Sequence, residues 1–435
     1  MQFYSTKQQS PNVDLKTAVL QGLPKDNGLY MPEVINKMPP NFWDNINNLS
    51  FAEMAFEVAN CLLKGSMPAN DLRQIVNEAV NFDAPLVPIS KQLTCLELFH
   101  GPSLAFKDFG ARFMARLMSY LLKGSNQKLY ILVATSGDTG GAVAQGFLHT
   151  KNIEVIILYP SQKISLLQEK QLTTLGANIT ALEIKGTFDD CQKLVKTAFL
   201  DDELQQKLNL SSANSINIAR LVPQTFYYVY AYAQAKKMGY KKVVFSVPSG
   251  NFGNLCAGLI AKEMGMPSCR FVAANNANDV FTEYYNSTVF TPRASVKTLS
   301  NAMDVGNPSN FQRIQDLYKD IEAVRAFIQA YSYTDEETLT AIKEIYKRYN
   351  YVVCPHTAVA YLGLKAYQKA FPTTDELGVF LATAHPSKFL DIVEPALDIT
   401  VPIPESLQIL ANRPKVSQLM STNFTDFKAY LMDLG

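Results

Sequence analysis

Apolar segments with two different periodicities alternate along residues 129–184. Strand-like runs at 129–134, 154–159 and 179–184 are separated by runs with helical spacing at 141–148 and 165–175. Such alternation favours a parallel sheet whose strands are joined by right-handed helical crossovers. This part of the chain is therefore predicted to form one α/β unit.

A second series of the same kind follows. Helix-like runs at 221–238 and 255–264 alternate with strand-like runs at 243–247 and 270–274. The predicted fold class is therefore α/β, with two parallel-sheet units. In such folds ligands bind at the carboxyl ends of the strands, so we expect the active site to lie between the two units.

The length of the chain indicates how these units are distributed. With 435 residues and 47% apolar content, the chain exceeds a single typical domain. We predict an N-terminal segment over 1–95, a smaller α/β unit over 96–220 and a larger one over 221–435. Residues 281–310 are rich in Ser, Thr and Asn and are predicted to form an extended insertion.

Composition disfavours several classes of function. The net charge of +1, with acids and bases interspersed, does not indicate a nucleic-acid or membrane-surface partner. No apolar run approaches the ~20 residues that span a bilayer, and the start of the chain lacks a leader pattern. The six cysteines have no CxxC spacing, and the four histidines are too far apart for a recognisable metal site. We expect a cytoplasmic protein with reduced thiols and no metal.

Lys107 lies in the segment LFHGPSLAFKDF (98–109), where an apolar helix is predicted to begin. Burial beside Phe106 and the positive end of the helix dipole both disfavour an ammonium group, which makes the amine easier to deprotonate. A neutral amine can attack a carbonyl. The alternative is an ordinary exposed lysine on a helix.

Two further segments place glycines or hydroxyls where a strand gives way to a helix. SGNFGN (249–254) is predicted to direct backbone N–H groups at a phosphate, with Gly250 and Gly253 needed for the backbone geometry and positive φ. TSGDTG (135–140) is predicted to hold a carboxylate in the same way. The alternatives are an ordinary connection between strand and helix for the first and a helix N-cap for the second.

SANSINIAR (212–220) and ATAHP (382–386) supply further polar groups. Asn214, Ser215 and Arg220 offer an amide, a hydroxyl and a guanidinium fork suited to phosphate oxygens. The alternative is a helix cap followed by a surface arginine. Thr383 offers a hydroxyl at the end of a predicted strand, where ligands bind in open α/β sheets.

Together these segments resemble the pyridoxal-phosphate enzymes of the tryptophan-synthase-β type, and among them the longer threonine synthases. The opening segments FYS (3–5) and AVLQGLPKDNGLYMPE (18–33) are similar to the amino-terminal signature of that branch. The resemblance extends to ATAHPSKF (382–389). HGPSLAFKDF and the opening are its most specific parts, whereas SGNFGN and TSGDTG are shared with sister enzymes.

The resemblance implies roles for individual residues. Lys107 would form the Schiff base with the aldehyde of pyridoxal 5'-phosphate, and Thr383 would hydrogen-bond the pyridine nitrogen. The cofactor phosphate would be held by Gly250, Asn251, Phe252, Gly253 and Asn254. The substrate would be bound through its carboxylate by Ser136, Gly137 and Thr139, and through its phosphate by Asn214, Ser215 and Arg220.

Asp138 departs from many sister enzymes, which have Asn at this position. A carboxylate beside the substrate carboxylate would repel it unless Asp138 turns toward a cation or an amide. We therefore leave open which group contacts the ring hydroxyl of the cofactor.

The implied reaction converts O-phospho-L-homoserine and water into L-threonine and phosphate. Two alternatives remain open on the same scaffold. One is a phospho-lyase that eliminates phosphate and releases a keto acid and ammonia, and the other is a non-catalytic protein that binds the cofactor. The sequence leaves open whether the chain is a monomer or a homodimer.

Overall fold

Three sheets organise the chain in the computed structural model, which describes residues 1–125 and 127–434. The strands are β1 (Phe3–Ser5), β2 (Tyr30–Pro32), β3 (Leu86–Ser90), β4 (Leu93–Glu97), β5 (Leu129–Ala134), β6 (Ile153–Pro160), β7 (Ile179–Ile184), β8 (Asn209–Ser212), β9 (Lys242–Pro248), β10 (Cys269–Asn275), β11 (Ile328–Ser332), β12 (Glu376–Ala382) and β13 (Gln418–Met420).

Helices connect and cover these strands. They are α1 (Leu15–Gln21), α2 (Pro40–Asn45), α3 (Phe51–Leu62), α4 (Ala69–Ala79), α5 (Lys107–Leu121), α6 (Asp138–Phe147), α7 (Leu166–Thr173), α8 (Phe188–Leu200), α9 (Asp202–Lys207), α10 (Ile218–Leu221), α11 (Gln224–Lys237), α12 (Gly253–Glu263), α13 (Val280–Ser287), α14 (Phe311–Leu317), α15 (Ile321–Arg325), α16 (Asp335–Tyr349), α17 (Pro355–Ala370), α18 (Leu390–Leu397), α19 (Glu405–Ala411) and α20 (Phe424–Met432).

The two larger sheets confirm the predicted α/β fold class. One has the order β11-β10-β9-β12-β4-β3 and is parallel except for the antiparallel pair β3 and β4. The other has the order β13-β7-β6-β5-β8 and is parallel throughout. Strands β5 and β12 are buried along their whole length because helices cover both faces, which explains their continuous apolar sequence.

The strand pairing departs from the predicted domain ranges in two places. Strand β4 crosses the predicted boundary at residue 95. It pairs with β12 of the six-stranded sheet, and four of its five residues are buried there. Strand β13 lies within the predicted larger unit, yet it pairs with β7 of the five-stranded sheet. The N-terminal segment therefore adds β3 and most of β4 to the six-stranded sheet, and the C-terminal tail adds β13 to the five-stranded sheet.

Two predicted elements are wrong in detail. The helix predicted over 221–238 is divided into α10 and α11 at Pro223, which has no backbone N–H to donate within a helix. Residues 281–310 do not form an extended insertion throughout, because α13 occupies the first part and buries Phe281. The remainder, from Thr288 to Asn310, is irregular apart from a short 3₁₀ turn.

Among the described residues, no helix combines the length and the apolar character that a membrane crossing requires.

Candidate active site

A cavity of about 720 Å³ lies where the carboxyl ends of strands from both larger sheets meet. Its walls include residues that follow β5, β8, β9 and β12, which is the position expected for a ligand in this class of fold. The structure brings together all the predicted site residues except Gly137: Lys107, Ser136, Thr139, Asn214, Ser215, Arg220, Gly250, Asn251, Phe252, Gly253, Asn254 and Thr383.

Lys107 is the first residue of α5, as predicted, and backbone pairing places it beside Thr383. Ala105 and Ala384 form an antiparallel bridge, and the N–H of Phe106 donates to the carbonyl oxygen of Thr383 at 2.9 Å. The segment before Lys107 is therefore fixed to the segment after β12. This pairing holds the amine and the threonine hydroxyl in one cavity although 275 residues separate them in the sequence, as their residue numbers show.

The surroundings of Lys107 lower the pKa of its ammonium group. Burial lowers the pKa of the Lys107 ammonium, the Asp138 carboxylate opposes this effect, and the Lys388 and Arg220 cations lower the pKa further. The net shift is downward from the ordinary value of a lysine. This agrees with the prediction from the sequence and disfavours an ordinary exposed lysine at this position.

Asp138 turns toward both a cation and an amide. Lys388 Nζ lies 2.8 Å from Oδ1 of Asp138, and Gln168 Nε2 donates to the same oxygen at 3.0 Å. Burial would raise the pKa of Asp138, but the Lys388 and Lys107 cations and the Gln168 amide hold it well below its usual range. The carboxylate is thus engaged within the protein, which removes the repulsion anticipated from the sequence.

The glycine loop has its unusual backbone conformation at an unexpected residue. Phe252 has φ 62°, whereas Gly250 and Gly253 both lie outside the positive-φ region, so the prediction of positive φ at the glycines is wrong. The Phe252 ring packs against Phe281 with centroids 4.8 Å apart, and this contact supports the strained residue.

The two glycines differ in what a side chain at each position would meet. A Cβ at Gly250 would lie 2.7 Å from Cα of Met303, so the fold itself excludes a side chain there. A Cβ at Gly253 would approach no described atom closer than 3.4 Å. Gly253 is also the first residue of α12, and the N–H groups of Gly253 and Asn254 precede the first backbone hydrogen bond of the helix, whereas the N–H of Leu255 donates to Oδ1 of Asn254 at 2.9 Å. A ligand oxygen can therefore occupy the space that a side chain would fill.

Side chains of the loop are tied to the rest of the site. Asn251 Nδ2 donates to Oγ of Ser215 at 2.6 Å, and Oδ1 of Asn251 accepts from the N–H of Ser309 at 2.6 Å. Asn254 Nδ2 donates to the carbonyl oxygen of Pro248 at 3.0 Å. Both amides hold the loop in shape, so its contribution to ligand binding comes mainly from backbone groups.

The turn after β5 contains the predicted capping contact, and two of the residues predicted to bind a carboxylate line the cavity. Thr135 Oγ1 accepts from the N–H groups of Gly137 and Gly140 at 3.0 and 2.8 Å, which is the capping role. Ser136 and Thr139 line the cavity. A Cβ at Gly137 would lie 2.5 Å from Cδ of Gln168, so this glycine is needed for packing against α7.

Arg220 is buried rather than on the surface. It is 3% exposed, its Nη1 donates to the carbonyl oxygen of Ala213, and its Nε has no partner among the described residues. Burial lowers the pKa of Arg220 to about 10, with Asp108 opposing the shift, so the guanidinium stays charged at neutral pH. A buried cation with an unused donor at a cavity wall is suited to an anionic ligand.

Three side chains near the site were missed from the sequence. Lys388 and Gln168 contact Asp138, and His356 lines the cavity. Burial lowers the pKa of His356 to about 4, and its Nε2 accepts from the N–H of Ala302 at 3.1 Å. The neutral ring therefore anchors the irregular segment over the cavity. Lys388 lies inside the ATAHPSKF segment, but sequence alone gives it no partner.

Asp108, next to Lys107, provides a test of the electrostatics. Burial raises the pKa of Asp108 to about 6, although the Ser103 N–H donates to its Oδ2 at 2.9 Å. Since the folded protein binds this proton more tightly than the unfolded chain, the contribution of Asp108 to stability falls by about 3 kcal/mol as pH rises from about 4 to about 6.

We expect Asp108→Asn to remove this component. The thermal unfolding midpoint of the variant, relative to the unsubstituted chain, should rise across that pH window. The comparison is needed because Asp304, whose pKa burial also raises to about 6, titrates in the same range in both proteins. A constant difference in midpoint would contradict the raised pKa of Asp108.

Comparison with known proteins agrees with this geometry. A family model described as pyridoxal-phosphate dependent enzyme matches residues 84–382, and models of the threonine synthase N terminus and C-terminal part match residues 2–80 and 357–431. The chain is 46% identical to threonine synthase of Haemophilus influenzae, covering 99% of this chain and 100% of that protein. The chain belongs to the threonine synthase family.

Solved structures of threonine synthases have the same fold. The Escherichia coli structure matches with a TM-score of 0.92 and 40% identity over 100% of both chains. A structure from Brucella melitensis described as bound to pyridoxal phosphate matches with a TM-score of 0.92 and 33% identity over 100% of this chain and 99% of that one. The cofactor of this family is pyridoxal 5'-phosphate, and the chain is a pyridoxal-phosphate-dependent lyase.

Proposed function

We propose that this chain converts O-phospho-L-homoserine and water into L-threonine and phosphate. The observation that carries the proposal is the presence of two separate groups for phosphate in the cavity that contains Lys107. These groups are the glycine loop before α12 and the buried guanidinium of Arg220. The first suits the cofactor phosphate and the second suits the phosphate of the substrate.

The residues of the cavity fit pyridoxal 5'-phosphate. The absence of a side chain at Gly253 and the N–H groups of Gly253 and Asn254 at the start of α12 suit its phosphate. Lys107 has a lowered pKa and suits the aldehyde, while Thr383 suits the pyridine nitrogen. When bound, the cofactor supplies an aldehyde that bonds to amines and a ring that withdraws electrons from Cα.

Lys107 is proposed to carry the proton transfers. Its amine takes a proton from Cα of the substrate and then from Cβ, and these losses precede departure of the γ-phosphate. After the phosphate has left with the Cγ–O bond electrons, a proton is returned to Cγ, which becomes the methyl group, water adds its hydroxyl at Cβ while its proton passes to a base, and a proton is returned to Cα. A hydroxyl such as that of Thr383 cannot protonate the pyridine nitrogen as a carboxylic acid would, so the electron withdrawal that it supports is milder.

Substrate binding is proposed to use both ends of the molecule. Ser136 and Thr139 lie beyond β5 at the start of α6 and are proposed to bind the α-carboxylate. Gly137 contributes through the shape of this turn. Arg220, with Asn214 and Ser215, is proposed to bind the phosphate. Because the guanidinium is already desolvated in the fold, a hydrogen bond to it costs little further dehydration.

Product analysis tests the proposed function directly. The purified protein, loaded with pyridoxal 5'-phosphate, is incubated with O-phospho-L-homoserine while threonine, phosphate and 2-oxobutyrate are measured. Threonine and phosphate in equal amounts are expected. Formation of 2-oxobutyrate and ammonia with phosphate would identify the phospho-lyase instead, and release of no product would identify a protein that only binds the cofactor.

Replacing Gly253 with valine tests the phosphate cradle. A Cβ at Gly253 would make ordinary contacts, the nearest at 3.4 Å to Nδ2 of Asn310, so we expect Gly253→Val to fold but to bind pyridoxal 5'-phosphate more weakly, because the side chain fills the space of the phosphate. Cofactor affinity is measured by titration of the visible absorbance. Gly250→Ala serves as a contrast and is expected to lower the unfolding midpoint, because its Cβ would meet the backbone of Met303. Unchanged cofactor affinity in a folded Gly253→Val protein would contradict the placement of the loop.

We also propose that the protein works in the cytoplasm. All six cysteines are free thiols, which suits a reducing compartment.

A further inference from the structure

The strongest unexplained feature of the site is a line of three buried charged groups. Lys388 Nζ lies 2.8 Å from Oδ1 of Asp138, and Oδ2 of the same carboxylate lies 4.0 Å from Nζ of Lys107. The side chain of Lys388 is fully buried and that of Asp138 is 4% exposed. None of the roles proposed above for cofactor or substrate uses Lys388.

The contacts of Lys388 fix its position. Its Nζ also donates to the carbonyl oxygen of Ser103 at 2.9 Å, and this oxygen accepts from Nε2 of Gln171 at 2.9 Å. Ser103 precedes Lys107 by four residues in the loop that leads into α5. Lys388 therefore joins the segment after β12, the loop before Lys107 and the start of α6, where Asp138 lies.

The two lysines compete for the carboxylate. A charged pair at 2.8 Å with direct hydrogen bonding is much stronger than one at 4.0 Å, especially where burial lowers the effective dielectric constant. Gln168 donates to the oxygen that Lys388 contacts, so it holds the carboxylate in the same orientation. Asp138 is consequently held at a distance from Lys107 that is too long for a normal hydrogen bond.

We propose that Lys388 is a positioning residue that engages Asp138 and so keeps the amine of Lys107 available for reaction. Without Lys388, Asp138 would be a buried carboxylate whose nearest cation is Lys107. The amine would then be held as a charged, hydrogen-bonded ammonium, which cannot act as a nucleophile or a base. The proposal concerns how the site is prepared, and it rests on the proposed role of Lys107.

Several charged and titratable groups face Lys107, and of these Arg220, Asp108 and His356 are unchanged in the variants tested below. Arg220 and Lys388 disfavour its ammonium form, Asp138 favours it, and the neutral His356 lies on the same cavity wall. Asp108 is the next residue in the sequence after Lys107, and its carboxylate accepts a hydrogen bond from the N–H of Ser103. Removing Lys388 removes its repulsion of the Lys107 ammonium and leaves the Asp138 carboxylate free to approach Lys107. Both changes raise the pKa of Lys107.

The reactivity of Lys107 in the full-length chain with the cofactor removed is the direct test. Trace labelling with acetic anhydride over a range of pH, followed by mass spectrometry of the peptide containing Lys107, reports the fraction of neutral amine. We expect Lys388→Met to slow acetylation at pH 8 by about tenfold for each unit by which the Lys107 pKa rises. Lys388→Arg, which keeps a cation beside Asp138, should restore much of the rate.

A double variant separates this effect from simple disruption. In the Asp138→Asn background there is no anion to engage Lys107, so adding Lys388→Met should change acetylation much less than it does in the unsubstituted chain. Lys365→Met is the matched control, because Lys365 pairs with Glu344 far from the cavity wall. If Lys388→Met does not fold, Lys388→Gln removes the cation but keeps a donor for the carbonyl oxygen of Ser103, and it should also slow acetylation of Lys107.

The pH dependence of kcat in the loaded enzyme is a second readout. The acidic limb should move to higher pH in Lys388→Met and not in Lys365→Met. Unchanged Lys107 acetylation in folded Lys388→Met, or in folded Lys388→Gln if the first variant is unfolded, would overturn the proposal. Because acetylation requires neither substrate nor turnover, this result is distinct from failure of the proposed threonine synthase activity.

Discussion

Replacement of Lys107 with alanine is expected to abolish formation of L-threonine from O-phospho-L-homoserine. In the proposed function this amine, at the start of α5, both bonds to the cofactor aldehyde and moves the protons at Cα and Cβ. Loss of a positioned general base alone costs roughly 10²–10⁴-fold in rate. The variant also loses the covalent bond between Lys107 and the cofactor aldehyde, so threonine formation should fall below detection.

The measurement combines turnover with a chemical test of attachment. Threonine and phosphate are followed over time, and the protein loaded with pyridoxal 5'-phosphate is treated with borohydride and digested to find the lysine that carries the cofactor. Lys365→Ala is the matched control because its side chain pairs with Glu344 and is partly exposed. A borohydride-fixed cofactor in Lys107→Ala would show that another lysine performs the attachment.

The α/β fold was predictable because its central strands carry their own signal. Strand β5 is a continuous apolar run and β6 and β9 are mostly apolar, as burial on both faces of a parallel sheet requires. Strand β13 has no such signal, because it is three residues long and two of them are exposed. It forms because β7 offers an unpaired edge, and only the tertiary structure shows this.

The candidate site was predictable where its residues belong to one segment. Lys107 and the glycine loop stand out because helix start and loop composition are local properties. Asp138 could be predicted to need a cation or an amide, since an unpaired buried carboxylate is costly. Its partner could not be identified, because Lys388 lies 250 residues away by their residue numbers and meets Asp138 only through the pairing of the segments around Ala105 and Ala384.

The burial of Arg220 could not be read from the sequence either. Arg220 follows the polar pair Asn214 and Ser215, an arrangement typical of an exposed helix start. The short helix α10 gives no amphipathic pattern that would indicate burial. Burial follows from the close approach of α5, where a Cβ at Gly110 would lie 2.7 Å from Nε of Arg220. Gly110 therefore makes room for the guanidinium.

Replacement of Arg220 separates the substrate phosphate from the cofactor phosphate. Arg220→Lys keeps the charge but loses the planar fork, and we expect kcat/KM for O-phospho-L-homoserine to fall by about 1.5–3 kcal/mol, the value of a hydrogen bond to a charged group. This corresponds to roughly 10-fold to 150-fold. Arg220→Ala should lose more, because it removes the charge as well and leaves a phosphate dianion in a partly buried cavity without its main cation.

The cofactor should remain bound in both variants, because Arg220 is assigned to the substrate. Visible absorbance and cofactor affinity are measured beside the kinetics, and the thermal midpoint shows whether loss of the hydrogen bond to Ala213 has weakened the fold. Lys163→Ala is a useful comparison, since this exposed lysine also lines the cavity but lies on the other side of the site, after β6. Near-normal kinetics in Arg220→Ala would remove Arg220 from the substrate site. Loss of cofactor with little change in the KM of the reloaded enzyme would mean that the two phosphate groups are exchanged, with Arg220 serving the cofactor and the glycine loop the substrate.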